Sequence, residues 1–306
     1  MISIVFPAYN EEENVAELHR RTKEVMDSLG QPYEIIAVDS GSLDRTLEVL
    51  RGLRPIKIVA LVKNIGQTPA LDAGFKAAKG DIVITMDADL QNDPADIPKL
   101  LAKMNEGYDV VSGWRKVRND TLGRRILSRC ANWLTYQVTG LRLHDHACAL
   151  KAYRRSFLKN LNLYGEMHVF LAAWLFLRGA KVAEIEVAHH GRSAGVSKHN
   201  FMKAVKDISD LFTIRFISNM SRPLLFFGSW GLFSWFLAGI SAAVAIVLKV
   251  EGLRNFAQTP LPVLVAMFSI LGFLMVMMGF LAELILRTYY ETKHETQYIV
   301  KEIIEQ

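Results

Sequence analysis

The chain has 306 residues, a formal charge of +5 and 51% hydrophobic residues, enough for one sizeable α/β domain and a second, more apolar part. Its two cysteines, Cys130 and Cys148, lack C-x-x-C spacing, which argues against a disulfide framework or a zinc site. Met1 to Pro7 has no basic n-region, so no signal peptide is expected and the large domain is expected to stay in the cytoplasm.

Ile2 to Pro7 reads as a strand, and Asn10 with Glu13 as a capping-box-like start for an amphipathic helix to about Leu29. Tyr33 to Val38 is a second strand ending in Asp39-Ser40-Gly41-Ser42, followed by a helix from Asp44 to Leu53. Ile56 to Val62 is a third strand, Asn64 to Gln67 a turn, and Pro69 to Lys79 a helix stopped by Gly80. The apolar run Ile82 to Met86 then ends in Asp87-Ala88-Asp89. Alternation at this spacing predicts βαβ units and a largely parallel sheet, with Asp39, Asp87 and Asp89 at strand ends on one rim.

That rim is where open α/β sheets place ligands. Two carboxylates spaced by one small residue repel each other unless a divalent cation sits between them, and hard oxygen ligands suit Mg²⁺ or Mn²⁺. By itself a D-x-D is more often a solvated acidic turn, so its context decides. Neither G-x-G-x-x-G after the first strand nor G-x-x-x-x-G-K-[S/T] occurs, which disfavours dinucleotide oxidoreductases and P-loop enzymes. Phosphates then fall to a metal and to basic side chains.

After Pro94 a helix to about Asn105 and a strand from Asp109 to Gly113 open onto Trp114-Arg115-Lys116 and a basic segment with Arg118, Arg124, Arg125 and Arg129. An amphipathic helix follows (Ile126, Cys130, Trp133, Leu134, Gln137). His144-Asp145-His146 reads as a loop rather than a metal site, before the apolar and basic stretch Cys148 to Arg155. A strongly apolar helix to Leu177 and a strand from Lys181 to Val187 precede a loop with Arg192 and Lys198, spaced to close on an anion.

Phe201, Val205, Ile208, Leu211, Phe212 and Phe216 recur at helical spacing and predict an interfacial amphipathic helix. Leu224 to Leu248 and Leu261 to Leu286 are each roughly 25 residues long and nearly uncharged, enough to span a bilayer core of about 30 Å. Lys203, Lys206, Arg215 and Arg222 before the first span, with Arg287 and Lys293 after the second, place both termini in the cytoplasm. Glu283 is expected to pair with Arg287 one turn on. The organisation expected is a catalytic domain over 1–200, a juxtamembrane helix over 201–222, two transmembrane helices over 223–287 and a cytoplasmic tail over 288–306.

The motifs F-P-A-Y-N-E-E-E-N from Phe6, A-V-D-S-G-S-L-D-R-T from Ala37, N-I-G-Q-T-P-A-L-D-A-G-F from Asn64 and M-D-A-D-L-Q-N-D-P from Met86 resemble, in order, those of family 2 glycosyltransferases with the GT-A fold. L-K-A-Y-R-R from Leu150, Y-G-E-M-H from Tyr164, H-H-G-R from His189 and S-K-H from Ser197 resemble the polyprenyl-phosphate branch, which includes dolichyl-phosphate mannose synthases and undecaprenyl-phosphate sugar transferases.

The resemblance implies that Pro7, Tyr9 and Glu11 border a nucleotide pocket and that Asp39 contacts the base. It implies that Asp87, Asp89 and Gln91 hold the metal and diphosphate. Arg115, Arg125 and Ser128 would face the acceptor phosphate, and Arg192 and Lys198 would close over both substrates. The implied reaction is inverting transfer of a hexosyl group from a nucleotide diphosphate sugar to a polyprenyl phosphate at the cytoplasmic membrane, with a UDP-sugar favoured and GDP-mannose the alternative. Association of copies through the spans is an expectation; a nucleic-acid partner is not. Three positions depart from the usual pattern: Ser40 for an acid, Gly191 for proline and His199 for tyrosine. Ser40 is the support for a different class of reading, a non-catalytic membrane scaffold. A processive polysaccharide synthase would carry Q-x-x-R-W and more spans.

Overall fold

The computed structural model describes residues 1–116, 132–159, 161, 163, 165, 167–190, 223–291 and 300–305; side chains at 286, 287, 289–291, 300 and 301 fall outside that description. The chain divides into two compact units, one of residues 1–215 with 296–306 and one of residues 216–295.

The first unit is built on an eight-stranded sheet. Strands β1 (Ile2–Ala8), β2 (Tyr33–Asp39), β3 (Lys57–Leu61) and β4 (Ile82–Thr85) are joined by helices α1 (Val15–Leu29), α2 (Thr46–Arg51) and α3 (Gln67–Ala77). Helix α4 (Ile97–Asn105) leads to β5 (Val110–Trp114), then come β6 (Lys151–Arg154), α5 (Met167–Leu177) and β7 (Val182–Glu186), and the chain ends in β8 (Val300–Glu305). The spatial order is β7-β5-β6-β4-β1-β2-β3-β8. The run β4-β1-β2-β3 is parallel, as is the β5–β7 pair, while β6 and β8 enter antiparallel.

Alternation along the strands explains the layers. Ile2, Ile4 and Phe6 of β1 join one buried cluster with Leu18 and Met26 of α1 and Leu100 of α4. Val5, between them, joins the opposite cluster with Ala70 of α3 and Leu171 of α5. Fully burying each such aliphatic side chain contributes about 1.5–3 kcal/mol. On α1 the buried residues Val15, Leu18, His19, Thr22 and Met26 follow the helical period, so one stripe faces the sheet.

Two expectations are corrected. Asn10 does not cap α1: it has φ 57° and its Oδ1 accepts from Leu43 N–H, while the helix starts at Val15, because the loop from 10 to 14 is tied to the 42–46 loop instead. Residues 300–305, read as tail, form β8 on the open edge of β3, where Glu305 pairs with Lys57 at 2.9 Å and Glu302 with Arg51. A β-edge of unpaired amides attracts such a segment.

The second unit holds helices α6 (Pro223–Val250) and α7 (Leu261–Glu291), each long and apolar enough to cross a membrane. Their large side chains point outward, Phe236 and Ile285 being 63% and 68% exposed. Small residues let the two helices approach: a Cβ on Gly231 would lie 2.9 Å from Gly272 O. Ser234 Oγ donates to Phe268 O at 2.8 Å and Trp235 Nε1 to Ser269 O at 3.1 Å.

Candidate active site

In the strand order, β2 and β3 lie on one side of β1 and β4 on the other, so the direction of winding reverses between β1 and β4. Crossover connections leave in opposite directions there and open a crevice at the carboxyl ends of the strands. A cavity of about 280 Å³ occupies that place, lined by Pro7 and Ala8 at the end of β1, Tyr9 and Glu11 after it, Ser40 after β2, Asn64, Gly66 and Gln67 after β3, and Asp87, Ala88 and Asp89 after β4.

Asp87 is half-buried and Asp89 is 5% exposed. Burial first, and the charge of Asp89 second, push the Asp87 carboxyl up to about 6; Arg115 and a hydrogen bond from Gln67 act against this. Gln67 Nε2 donates to Asp87 Oδ1 at 2.6 Å. The turn after the D-x-D is tight: Leu90 has φ 59°, in the left-handed region, and Gln91 N–H donates back to Asp89 Oδ1 at 3.2 Å. That conformation is held from outside, because Gln91 O accepts from His190 N–H at 3.0 Å and Asn92 bridges His189. The histidine pair after β7 is thereby fixed beside the acidic turn.

Next to this site is a buried charged cluster. Arg115 at the end of β5 grips Asp145 through Nε at 2.6 Å and Nη2 at 3.0 Å. Lys151 of β6 donates to His146 O at 2.8 Å, and burial lowers its pKa to about 8. His146, 2% exposed, has both ring nitrogens buried without a hydrogen-bond partner, and burial with the nearby Lys151 lowers it to about 4.

Residues 3–161 match the family model described as Glycosyl transferase family 2. The chain belongs to that family. This glycosyltransferase is 38% identical to the dodecaprenyl-phosphate galacturonate synthase of Rhizobium johnstonii, an alignment covering 99% of this chain and 93% of the relative. It is 37% identical to an undecaprenyl-phosphate 4-deoxy-4-formamido-L-arabinose transferase of Edwardsiella ictaluri, over 99% of this chain and 94% of that one. Among solved structures it resembles the fold of glucosyl-3-phosphoglycerate synthase from Mycobacterium tuberculosis, crystallised with Mn²⁺, UDP-glucose and phosphoglyceric acid; the TM-score is 0.56 and the identity 22%, over 70% of this chain and 79% of that one. The motif-based expectation of the polyprenyl-phosphate branch and of a GT-A-type sheet agrees with these relatives.

Of the residues nominated from the sequence of the glycosyltransferase, Pro7, Tyr9, Glu11, Asp87 and Asp89 meet in the cavity. Asp39 is buried behind it; burial raises its pKa while its carboxylate accepts from Ser42 N–H at 3.3 Å. Gln91 contributes main-chain bonds to the turn and is not among the lining residues, and Arg115 is turned to Asp145. Arg125, Ser128, Arg192 and Lys198 lie outside the described residues, as do the 201–216 helix and the side chain of Arg287 proposed to meet Glu283. Gln67, Asp145 and Lys151 were not nominated. Gln67 was legible in principle, since the turn after β3 opens on the same rim as Asp39 and Asp87.

Proposed function

We propose that this glycosyltransferase moves a hexosyl group from a nucleotide diphosphate sugar, UDP-linked by preference, to the phosphate of a polyprenol, with inversion at the anomeric carbon. The observation that carries this reading is the single cavity that joins Pro7, Tyr9 and Glu11 to the Asp87 and Asp89 carboxylates. The named relatives make or use polyprenyl-phosphate sugars, and the fold neighbour was crystallised with UDP-glucose, which supports the choice of donor.

The two carboxylates fit a divalent ion. Burial first and the charge of Asp89 second raise the Asp87 carboxyl, and a cation between the two acids would offset both effects. Among the described residues no group of three or more His, Cys, Asp or Glu is placed to hold an ion. A two-carboxylate site completed by diphosphate oxygens and water suits Mg²⁺ or Mn²⁺. When bound there, the ion offsets negative charge on the leaving diphosphate. The chain's own groups do the rest. Gln67 holds the Asp87 carboxylate in place, and the His189–Asn92 bridge fixes the turn that carries Asp89. Pro7 and Tyr9 offer apolar surface to the nucleoside. A phosphate monoester, with its second pKa of about 6, is already a nucleophilic anion near neutral pH, so no general base is required. Orientation of two anionic substrates for in-line attack is the remaining task, and Arg125, Arg192 and Lys198 are proposed to supply its positive charge.

α6 and α7 are proposed to anchor the enzyme in the cytoplasmic membrane. Residues 296–306 belong to the same unit as residue 1, which supports both termini on the cytoplasmic side. The test is formation of a lipid-extractable glycosyl phosphate by the purified protein in detergent, with undecaprenyl phosphate, Mg²⁺ or Mn²⁺ and a panel of UDP- and GDP-sugars. Turnover with one UDP-sugar is expected; release of nucleotide without a lipid product would refute the acceptor, and turnover with GDP-mannose alone the donor.

A further inference from the structure

We infer that Ser40 is a specificity-determining residue, its hydroxyl making a hydrogen bond to the donor's nucleoside at the ribose 2′-hydroxyl or the base N3–H. Ser40 has this role only if the cavity holds a nucleotide sugar, as proposed above.

The main chain at Ser40 is fixed from both sides. Its N–H donates to Ala8 O at 2.8 Å, continuing the β1–β2 register by one residue. Gly41 has φ 68°, and a Cβ there would sit 2.7 Å from Lys63 Cα, so the backbone is pressed against the loop after β3. What remains free is rotation about the Ser40 Cα–Cβ bond.

The polar groups in the loops around Ser40 are engaged. Asp39 accepts from Ser42 N–H, Ser42 Oγ accepts from Asn10 N–H at 3.1 Å, Asn10 Oδ1 accepts from Leu43 N–H at 2.8 Å and Asn64 Oδ1 from Gly66 N–H at 2.9 Å. Ser40 differs. It is 4% exposed, it lines the cavity, and its Oγ is buried without a hydrogen bond. A buried hydroxyl left unpaired is costly, and the cost is removed when a ligand supplies the partner.

Position names the part of the ligand. Asp87 and Asp89 follow β4, and Ser40 follows β2, on the far side of β1. With the diphosphate at the acidic turn, the nucleoside extends across β1 toward Ser40. Where the resembling motif carries an acid, this chain carries a neutral group that both donates and accepts.

The experiment is calorimetric titration of the full-length protein in detergent with Mg²⁺, comparing wild type, Ser40→Ala and Ser40→Cys with UDP, 2′-deoxy-UDP and N3-methyl-UDP. Each variant is expected to bind UDP about 5- to 10-fold more weakly, the loss of one hydrogen bond, with its melting temperature in the absence of nucleotide no lower than wild type's. The deficit is expected to vanish with one analogue: 2′-deoxy-UDP if the ribose is the partner, N3-methyl-UDP if the base edge is. Variants that bind UDP within twofold of wild type, or lose equally with all three ligands, overturn the role of Ser40 alone. Wild type that does not bind UDP overturns the proposed UDP-linked donor and Ser40's role with it.

Discussion

At the carboxyl ends of β1 and β4, Asp87 and Asp89 face a cavity, whereas in the β5–β6 half Arg115, Asp145 and Lys151 are folded in against one another and the main chain. Both regions concentrate charge at the same end of one sheet. In the first, the like charges are aligned toward a space that a cation and a phosphate can fill. In the second, opposite charges compensate each other away from water: Asp145 is 2% exposed and meets Arg115 with two bonds. The difference separates aspartates that line a cavity from an aspartate consumed by the scaffold, although the residue type is the same.

The largest expected effect breaks the buried side of the comparison. Asp145→Ala leaves the Arg115 guanidinium uncompensated and is expected to cost about 3–5 kcal/mol of stability, read as a lowered melting temperature in detergent; an unchanged melting temperature would mean that Arg115 finds water. Asp89→Ala tests the cavity side. It should leave folding intact and lower kcat by about 10²- to 10³-fold, the scale of a lost electrostatic stabiliser, and retention of more than a tenth of wild-type turnover would remove Asp89 from the proposed site.

His146 sharpens the contrast through pH. Its pKa is lowered from the ordinary 6.5 to about 4, chiefly by burial, so the folded protein resists a proton that the unfolded chain accepts. The contribution is therefore fully present above pH 6.5 and is lost as the pH falls toward 4. His146→Phe should show a smaller drop in melting temperature across that window than wild type, a difference of about 1–3 kcal/mol at its acid end; parallel curves would contradict a buried neutral imidazole. The smallest effect is expected at Gln67, which touches one carboxylate. Gln67→Ala should weaken Mg²⁺-dependent UDP binding about 10-fold, with Gln67→Glu no better because it sets a third acid against Asp87; equal binding by all three proteins would show that the 2.6 Å contact does not orient the site.

Several parts of this molecule were legible as pattern. The parallel core strands announced themselves as apolar runs, and the two long helices as uncharged stretches, because burial on both faces and contact with lipid each demand continuous hydrophobicity. Asp87 and Asp89 stood out since they end such a run. β6 was not legible: Lys-Ala-Tyr-Arg has no strand-like alternation, and Lys151 is buried with its ammonium on the carbonyls of His146 and Val169. β8 was hidden for another reason. Its six residues carry three charges and gain a place only against the edge of β3.

The sequence by itself determined the alternation of strand and helix, the acidic turn after β4, the two apolar helices and, through ordered motifs, the family. These are properties of local composition and period, which a chain carries along its length. Only the tertiary structure decided which polar groups face the cavity and which are consumed by neighbours. Asp39 and Ser40 are adjacent in the chain, yet one carboxylate is satisfied by Ser42 and the other residue's hydroxyl is left without a partner at the cavity wall. That outcome depends on the strand register, the Gly41 turn and the reach of residues from β1 and β3, contacts distant in sequence that no local pattern encodes.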